Sequence, residues 1–168
     1  RPMPDLSLDD FRAEATAFLD ANAEPRDTDQ RFVWGEGDDE LALFEEVDPE
    51  DEQRQLAEAK AWRAKRFDAG LGYISGPAQY GGRELPAAFD RAYGQLEAKY
   101  AVPDQSFFGI GLGMVAPTIL AHATDAVKDA YLAKMYRGDL VGAQLFSEPG
   151  AGSDLAGLQT KAVRDGDE

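Results

Sequence analysis

The chain has 168 residues, 43% of them hydrophobic and 10% aromatic, enough apolar surface for one packed domain. Its net charge of −15, from 17 basic and 32 acidic residues, argues against nucleic acid or an anionic membrane as a partner. There is no cysteine and a single histidine, His122, which excludes disulfides, thiolate nucleophiles and multi-histidine metal sites.

The first predicted helix runs from about Leu8 to Ala21. Ser7 can cap it, Asp9 and Asp10 suit its positive first turn, and Leu8, Phe11, Ala15, Phe18 and Leu19 share one face. An acid-rich connection follows. Glu36 to Glu52 holds ten acidic residues and no basic one, which reads as a solvated, mobile surface loop, with a docking surface for a basic partner as the alternative. Leu41, Leu43 and Phe44 are the residues that could pack this loop down. A second helix spans about Glu50 to Ala69, with Leu56, Ala59, Trp62 and Phe67 on its apolar side and Gly70 ending it. Gly72 to Gly82 reads as a loop with turns at Gly76-Pro77 and Gly81-Gly82. A third helix starts at Pro86, and Leu85, Ala88, Phe89, Ala92, Leu96 and Tyr100 form the clearest amphipathic stripe in the chain.

Gln105 to Ala121 is apolar nearly all round and predicts a buried helix. Gly109, Gly111 and Gly113 each cost about 1 kcal/mol there against alanine. Close helix packing or room for a ligand would compensate, and Pro117 should kink or break the helix. The longest apolar run, Phe107 to Ala116, contains three glycines, is followed by Pro117 and falls short of the roughly 18 apolar residues of a membrane span. His122 reads as a structural histidine. A fifth helix runs from about Asp125 to Tyr136, capped by Thr124 and stopped by Gly138. Leu140 to Phe146 then reads as a strand. Thr160 to Arg164 reads as another, ending at Asp165-Gly166, a strong hairpin signal. A hairpin turn without its second strand predicts that the polypeptide continues further.

Phe146-Ser-Glu-Pro-Gly-Ala-Gly-Ser-Asp154 carries the chemistry. Its glycines allow close backbone approach, successive amides can form an anion-binding nest, and Ser147 and Ser153 add hydroxyls. A phosphate or carboxylate site and an ordinary tight turn both fit that composition. It is not a P-loop, because no Gly-Lys-Ser/Thr follows. Gly109-x-Gly111-x-Gly113 lacks the preceding strand and the third spacing of a dinucleotide fingerprint.

The same segment resembles the acyl-CoA dehydrogenase signature, in which a hydroxyl residue and Glu-Pro precede Gly-x-Gly-Ser-Asp. Ser147, Glu148, Pro149, Gly150, Gly152, Ser153 and Asp154 stand at those positions. The stretch Phe67 to Pro77 with Gln79-Tyr-Gly-Gly82, the helix Tyr131 to Asp139 and the turn Ala162 to Asp167 also look like the family's. The resemblance covers about Glu50 to Glu168 and, more loosely, the first helix, and the acidic segment Asp27–Pro49 has no counterpart in it.

That resemblance implies a mainly α fold. Residues 1–139 would form an N-terminal helical domain and 140–168 the incomplete start of a middle β-domain. It implies FAD as cofactor, with Gln144, Phe146, Ser147, Gly152 and Ser153 along it. It implies α,β-dehydrogenation of an acyl-CoA substrate, which Ser153 would also touch. The catalytic base would lie beyond Glu168, and Glu148 and Asp154 would hold the turn together. An electron-transfer flavoprotein and a homo- or hetero-tetramer are the implied partners, and a cytoplasmic location is expected. Gln105, Gly109 and Gly113 recur every four residues on one face near the acyl pocket, which predicts a bulky, branched or ring-bearing acyl group, with helix packing as the alternative reading. An acyl-CoA oxidase or flavin hydroxylase of the same superfamily, and a non-catalytic helical interaction module, are the competing functions.

Overall fold

The computed structural model describes residues 6–27, 48–161 and 163–166. Five α-helices dominate among them: α1 (Leu8–Asn22), α2 (Pro49–Asp68), α3 (Ala87–Glu97), α4 (Ala116–His122) and α5 (Asp125–Arg137). The mainly α architecture expected from the sequence is present. A two-residue antiparallel pair, β1 (Glu24–Pro25) with β2 (Tyr100–Ala101), closes the end of α1 onto the chain after α3.

Local chemistry sets the helix ends. The Ser7 hydroxyl accepts the Asp10 N–H at 3.1 Å, with Asp9 and Asp10 in the first turn. The Asp48 carboxylate accepts the Glu50 N–H at 3.0 Å, and Glu50, Asp51 and Glu52 lie in the first turn of α2. The last acids of the acidic run therefore hold a helix terminus. The rest of that run, with Leu41, Leu43 and Phe44, lies outside the described residues. Gly70 (φ 74) and Gly138 (φ 92) follow α2 and α5 in the left-handed conformation. Thr124 stands at the start of α5 but makes no capping hydrogen bond with its side chain.

Two cores result. Phe11, Ala15 and Leu19 of α1 pack with Phe89, Ala92 and Tyr93 of α3, joined by Trp62, Leu71, Ile74 and Tyr100. Phe11 and Phe89 meet edge to face at 5.1 Å. The second core sets Ala116 of α4 against Leu132 and Met135 of α5, with Tyr73 and Tyr80. The loop 71–82 feeds both. It is tight: a Cβ on Gly82 would lie 1.9 Å from the Gly76 carbonyl oxygen.

Three expectations are corrected. Leu140–Phe146 and the described residues of Thr160–Arg164 are not strands, since a strand needs a neighbour to take its N–H and C=O groups and no described segment supplies one. Gly166 stands in a turn with φ 63, and Ala162 and Asp167 lie outside the described residues. The stretch Gln105–Ala121 is not one buried helix. It is helical without a break from Ser106 into α4, through a 3₁₀ turn (Ser106–Phe108) and a π turn (Gly111–Val115), but it is not buried all round, since Ile110 and Met114 are 50% and 49% exposed.

Arg63 was not foreseen in a core. It is 7% exposed, stacks over Phe108 at 5.0 Å and donates from Nη1 to Gln105 at 3.3 Å. Burial first, then neighbouring Arg66, push its guanidinium down to about 10. Glu97 organises the adjoining network. Its carboxylate accepts Trp62 Nε1 at 2.9 Å, the Tyr93 hydroxyl at 3.1 Å and Arg66 Nη1 at 3.2 Å. Truncating it strands an indole N–H and a largely buried charge. Glu97→Ala is therefore expected to lower the stability of the chain by about 3 kcal/mol, and Glu97→Gln by clearly less, in urea unfolding. Equal losses for the two would show that the carboxylate's acceptor geometry is unimportant.

Candidate functional site

The segment after α5 runs back across the π turn and leads into the motif. Gly142 lies against Gly111, so close that a Cβ on Gly111 would sit 2.9 Å from the Gly142 nitrogen. Beyond this crossing, Ala143, Gln144, Leu145 and Phe146 line one wall of a groove of about 270 Å³. Met114, Val115, Thr118 and Ile119 line the other. Leu145 is 95% exposed and Phe146 57%, while Gln144 is half-buried. A second apolar groove, of about 340 Å³, lies on the far side of Val115 and Ile119, between them and Val127, Tyr131 and Met135.

The motif itself is a closed turn. Glu148 and Ala151 exchange backbone hydrogen bonds at 3.1 and 3.0 Å. The Glu148 carboxylate then reaches across to accept the Gln159 N–H at 3.0 Å, the Thr160 N–H at 2.7 Å and the Thr160 hydroxyl. These bonds hold its carboxyl below the usual glutamate range, the Thr160 hydroxyl contributing most. Glu148 thus ties the turn to residues eleven and twelve positions on, as expected of it. Asp154 makes no such bond with its side chain at the start of the 3₁₀ turn Leu155–Gly157.

Ala151 is buried beneath the turn, and the residues on either side of it face out. Ser147, Gly152 and Ser153 are exposed, and a Cβ on Gly150 or Gly152 would meet nothing within 4 Å. The hydroxyls and backbone are open to a ligand, and the groove beside Gln144 and Phe146 is apolar. That combination of open backbone, hydroxyl donors and an apolar wall suits a planar aromatic group bearing phosphates.

The three residues predicted to face an acyl group part company. Gln105 turns inward, accepting from Arg63 and donating through Nε2 to the Ala59 carbonyl at 3.3 Å and the Pro103 carbonyl at 3.2 Å. Gly109 and Gly113 are exposed, with open space where a side chain would be. The packing glycine is Gly111. Sequence reasoning missed the side chains framing the open face, Ile110, Met114 and Thr118. The apolar character of the whole stretch hid which face is free. His122 is exposed at the end of α4. Among the described residues no cluster of three metal-binding side chains exists, and no helix is long and apolar enough to cross a membrane.

The Glu148 bonds have a readable pH signature. A carboxyl whose folded pKa is depressed contributes its stabilisation above the ordinary glutamate value of 4.5 and loses it as pH falls through the lower folded value. The Gln159 and Thr160 amide resonances should therefore titrate together with a midpoint below 4.5, and Glu148→Gln should abolish that titration. A midpoint at or above the ordinary value would contradict the bonding.

A family model described as "Acyl-CoA dehydrogenase, N-terminal domain" matches residues 7–139. Acyl-CoA dehydrogenase FadE26 of Mycobacterium tuberculosis is 45% identical over 92 residues, which are 55% of this chain and 22% of that protein. Among solved structures, the ChsE4-ChsE5 complex from Mycobacterium tuberculosis matches with a TM-score of 0.59 and 26% identity, covering 99% of this chain and 37% of that one. The Tcur3481-Tcur3483 steroid ACAD matches with a TM-score of 0.57 and 26% identity, over 98% of this chain and 38% of that one. The chain thus spans well under half the length of the proteins it matches. A family match over most of the chain, coinciding with its helices and leading directly into the Ser147–Asp154 turn, places this protein in the acyl-CoA dehydrogenase family.

Proposed function

We propose that this chain supplies the N-terminal helical domain, residues 1–139, and the first segment of the middle β-domain, 140–168, of an FAD-dependent acyl-CoA dehydrogenase acting on a bulky acyl group. The observation that carries the substrate reading is the open space at Gly109 and Gly113, beside the apolar groove that leads to the motif. Removing two side chains from one exposed face leaves width that a straight chain does not need. One structural neighbour is by name a steroid ACAD, which agrees with this width.

When bound, FAD supplies the hydride acceptor for α,β-dehydrogenation of the thioester. The residues here bind and orient. Gln144 and Phe146 would border the cofactor's ring system, with the Ser147 hydroxyl directed to it. The Gly152 backbone and the Ser153 side chain would take its phosphates, and Ser153 would meet the thioester arm. Glu148 keeps this turn in shape and is bonded too fully to move a proton. The base that takes the α-proton belongs to another part of the enzyme. Coenzyme A is polyanionic, so exposed Lys161 and Arg164 are this chain's candidates to meet it. An electron-transfer flavoprotein as acceptor, and a homo- or hetero-tetrameric assembly, complete the reading; the name of the ChsE4-ChsE5 complex supports a multi-chain enzyme.

The 168-residue chain, purified alone, is expected to show no stable flavin absorbance and no turnover. The full-length enzyme is expected to hold FAD stoichiometrically and to give a higher kcat/KM on ring-bearing than on straight-chain acyl-CoA. Gly109→Leu and Gly113→Leu should each lower kcat/KM for the bulky substrate about tenfold or more while leaving straight-chain substrates nearly unaffected. A wild-type preference for straight chains would overturn the substrate reading, and stoichiometric FAD on the isolated chain would overturn the division of labour.

A further inference from the structure

Gly111 is where the helix of the open face comes closest to the connection that leads to the motif. It opens the π turn Gly111–Val115, and its carbonyl accepts the Ala116 N–H. Such turns are single-residue departures from α geometry that recur at functional sites. A Cβ on Gly111 would stand 2.9 Å from the Gly142 nitrogen and 3.2 Å from its Cα. Both atoms are backbone and cannot rotate aside. From the other side, a Cβ on Gly142 would stand 2.8 Å from Gly111 Cα and 3.1 Å from the Met135 methyl. The connection is therefore clamped between the π turn and α5. One residue later it becomes the groove wall Ala143–Phe146, facing Met114 and Val115 of the same π turn.

We propose that Gly111 is a positioning residue: its backbone contact with Gly142 sets the spacing between the open face at Gly109–Gly113 and the segment Gln144–Ser153. The proposal rests on the flavin reading of that segment. Gly111 touches neither ligand and acts through Gly142. A methyl group at Gly111 must move the connection until the 2.9 Å approach reaches ordinary contact, which begins at 3.4 Å. That displacement is passed directly to Gln144 and Phe146.

The test uses the full-length enzyme with Gly111→Ala, Gly142→Ala and, as a control, Gly94→Ala. Gly94 lies in α3, where an added Cβ meets nothing within 4 Å, so the control gains the same helix propensity without the contact. Amide exchange of residues 143–148 is measured without cofactor. FAD affinity, the wavelength of the bound flavin band, and kcat and KM are then measured. Gly111→Ala and Gly142→Ala are expected to exchange faster at 143–148, to bind FAD about tenfold more weakly and to shift the flavin band. Gly94→Ala should match the wild type. Unchanged exchange, affinity and band in Gly111→Ala would overturn the proposal while leaving the flavin reading intact. Loss of folding in both Gly111→Ala and Gly142→Ala, with Gly94→Ala folded, would also overturn it, by making the crossing a folding contact. Absence of FAD from the wild type would overturn the flavin reading and this proposal together, even where the exchange difference is seen.

Discussion

The constraint on which this fold depends is the tight loop between Gly70 and Gly82, because it belongs to both cores. Leu71 and Ile74 enter the α1–α3 core, while Tyr73 and Tyr80 enter the α4–α5 core. Near neighbours in sequence are thus committed to different interiors. That is possible only if the backbone folds back on itself without side-chain bulk, which is what Gly82 against the Gly76 carbonyl achieves. Tyr73 then stacks on Tyr136 of α5, with ring centroids 3.5 Å apart. The position of α5, and of the connection that leaves it at Gly138, is fixed by that stack and by Arg137 on Asp68 at the end of α2.

Local signals proved most legible where the physics is local. Ser7, Gly70 and Gly138 marked helix ends because capping involves only a few adjacent residues. The α1 and α3 stripes marked core faces because their partner is each other, a pairing of two one-sided helices. The β1–β2 pair was invisible, since two residues on each side carry no alternation to read. Arg63 was invisible for a different reason. A buried arginine is recognised by what surrounds it, here Phe108, Gln105 and Gly138, none of which is near it in sequence. The two strands read from Leu140–Phe146 and Thr160–Arg164 illustrate the limit of propensity. A short apolar run or an alternating segment becomes a strand only when another segment takes its hydrogen bonds.

The glycines of the fourth helical stretch make the same point at the site. Composition offered packing or ligand space as alternatives for Gly109, Gly111 and Gly113 alike. The structure divides them. Gly111 packs, and Gly109 and Gly113 face open space. Residues two apart in a helix point to opposite sides, so Gly111 can pack while Gly109 and Gly113 face outward; nothing in the composition of Gly111–Val115 announces which side is which, or the π turn there. The motif was legible as a turn with an open backbone. Its fastening was only half legible: Glu148 does hold it, through bonds to residues eleven and twelve positions away, whereas Asp154 adds no bond of that kind.

Charge supplies the last link between fold and function. The chain carries a surplus of fifteen negative charges, yet among the described residues the buried charged side chain is a cation, Arg63. Arg63 and Arg66 lie inside beside one carboxylate, Glu97. Those guanidiniums are held by aromatic faces as much as by ions, Arg63 over Phe108 and Arg66 over Tyr93. They are therefore unavailable to a polyanionic ligand. Among the described residues, Asp9, Asp10, Glu50, Asp51 and Glu52 lie in the first turns of α1 and α2, where they stabilise the helices through the dipole but repel phosphate. On the proposed reading, an anionic ligand meets least repulsion where this chain presents backbone, hydroxyls or the exposed Lys161 and Arg164 instead of carboxylates. The turn from Ser147 to Ser153 is such a place, and it stays so because Glu148, the one acid within it, is folded back onto Gln159 and Thr160.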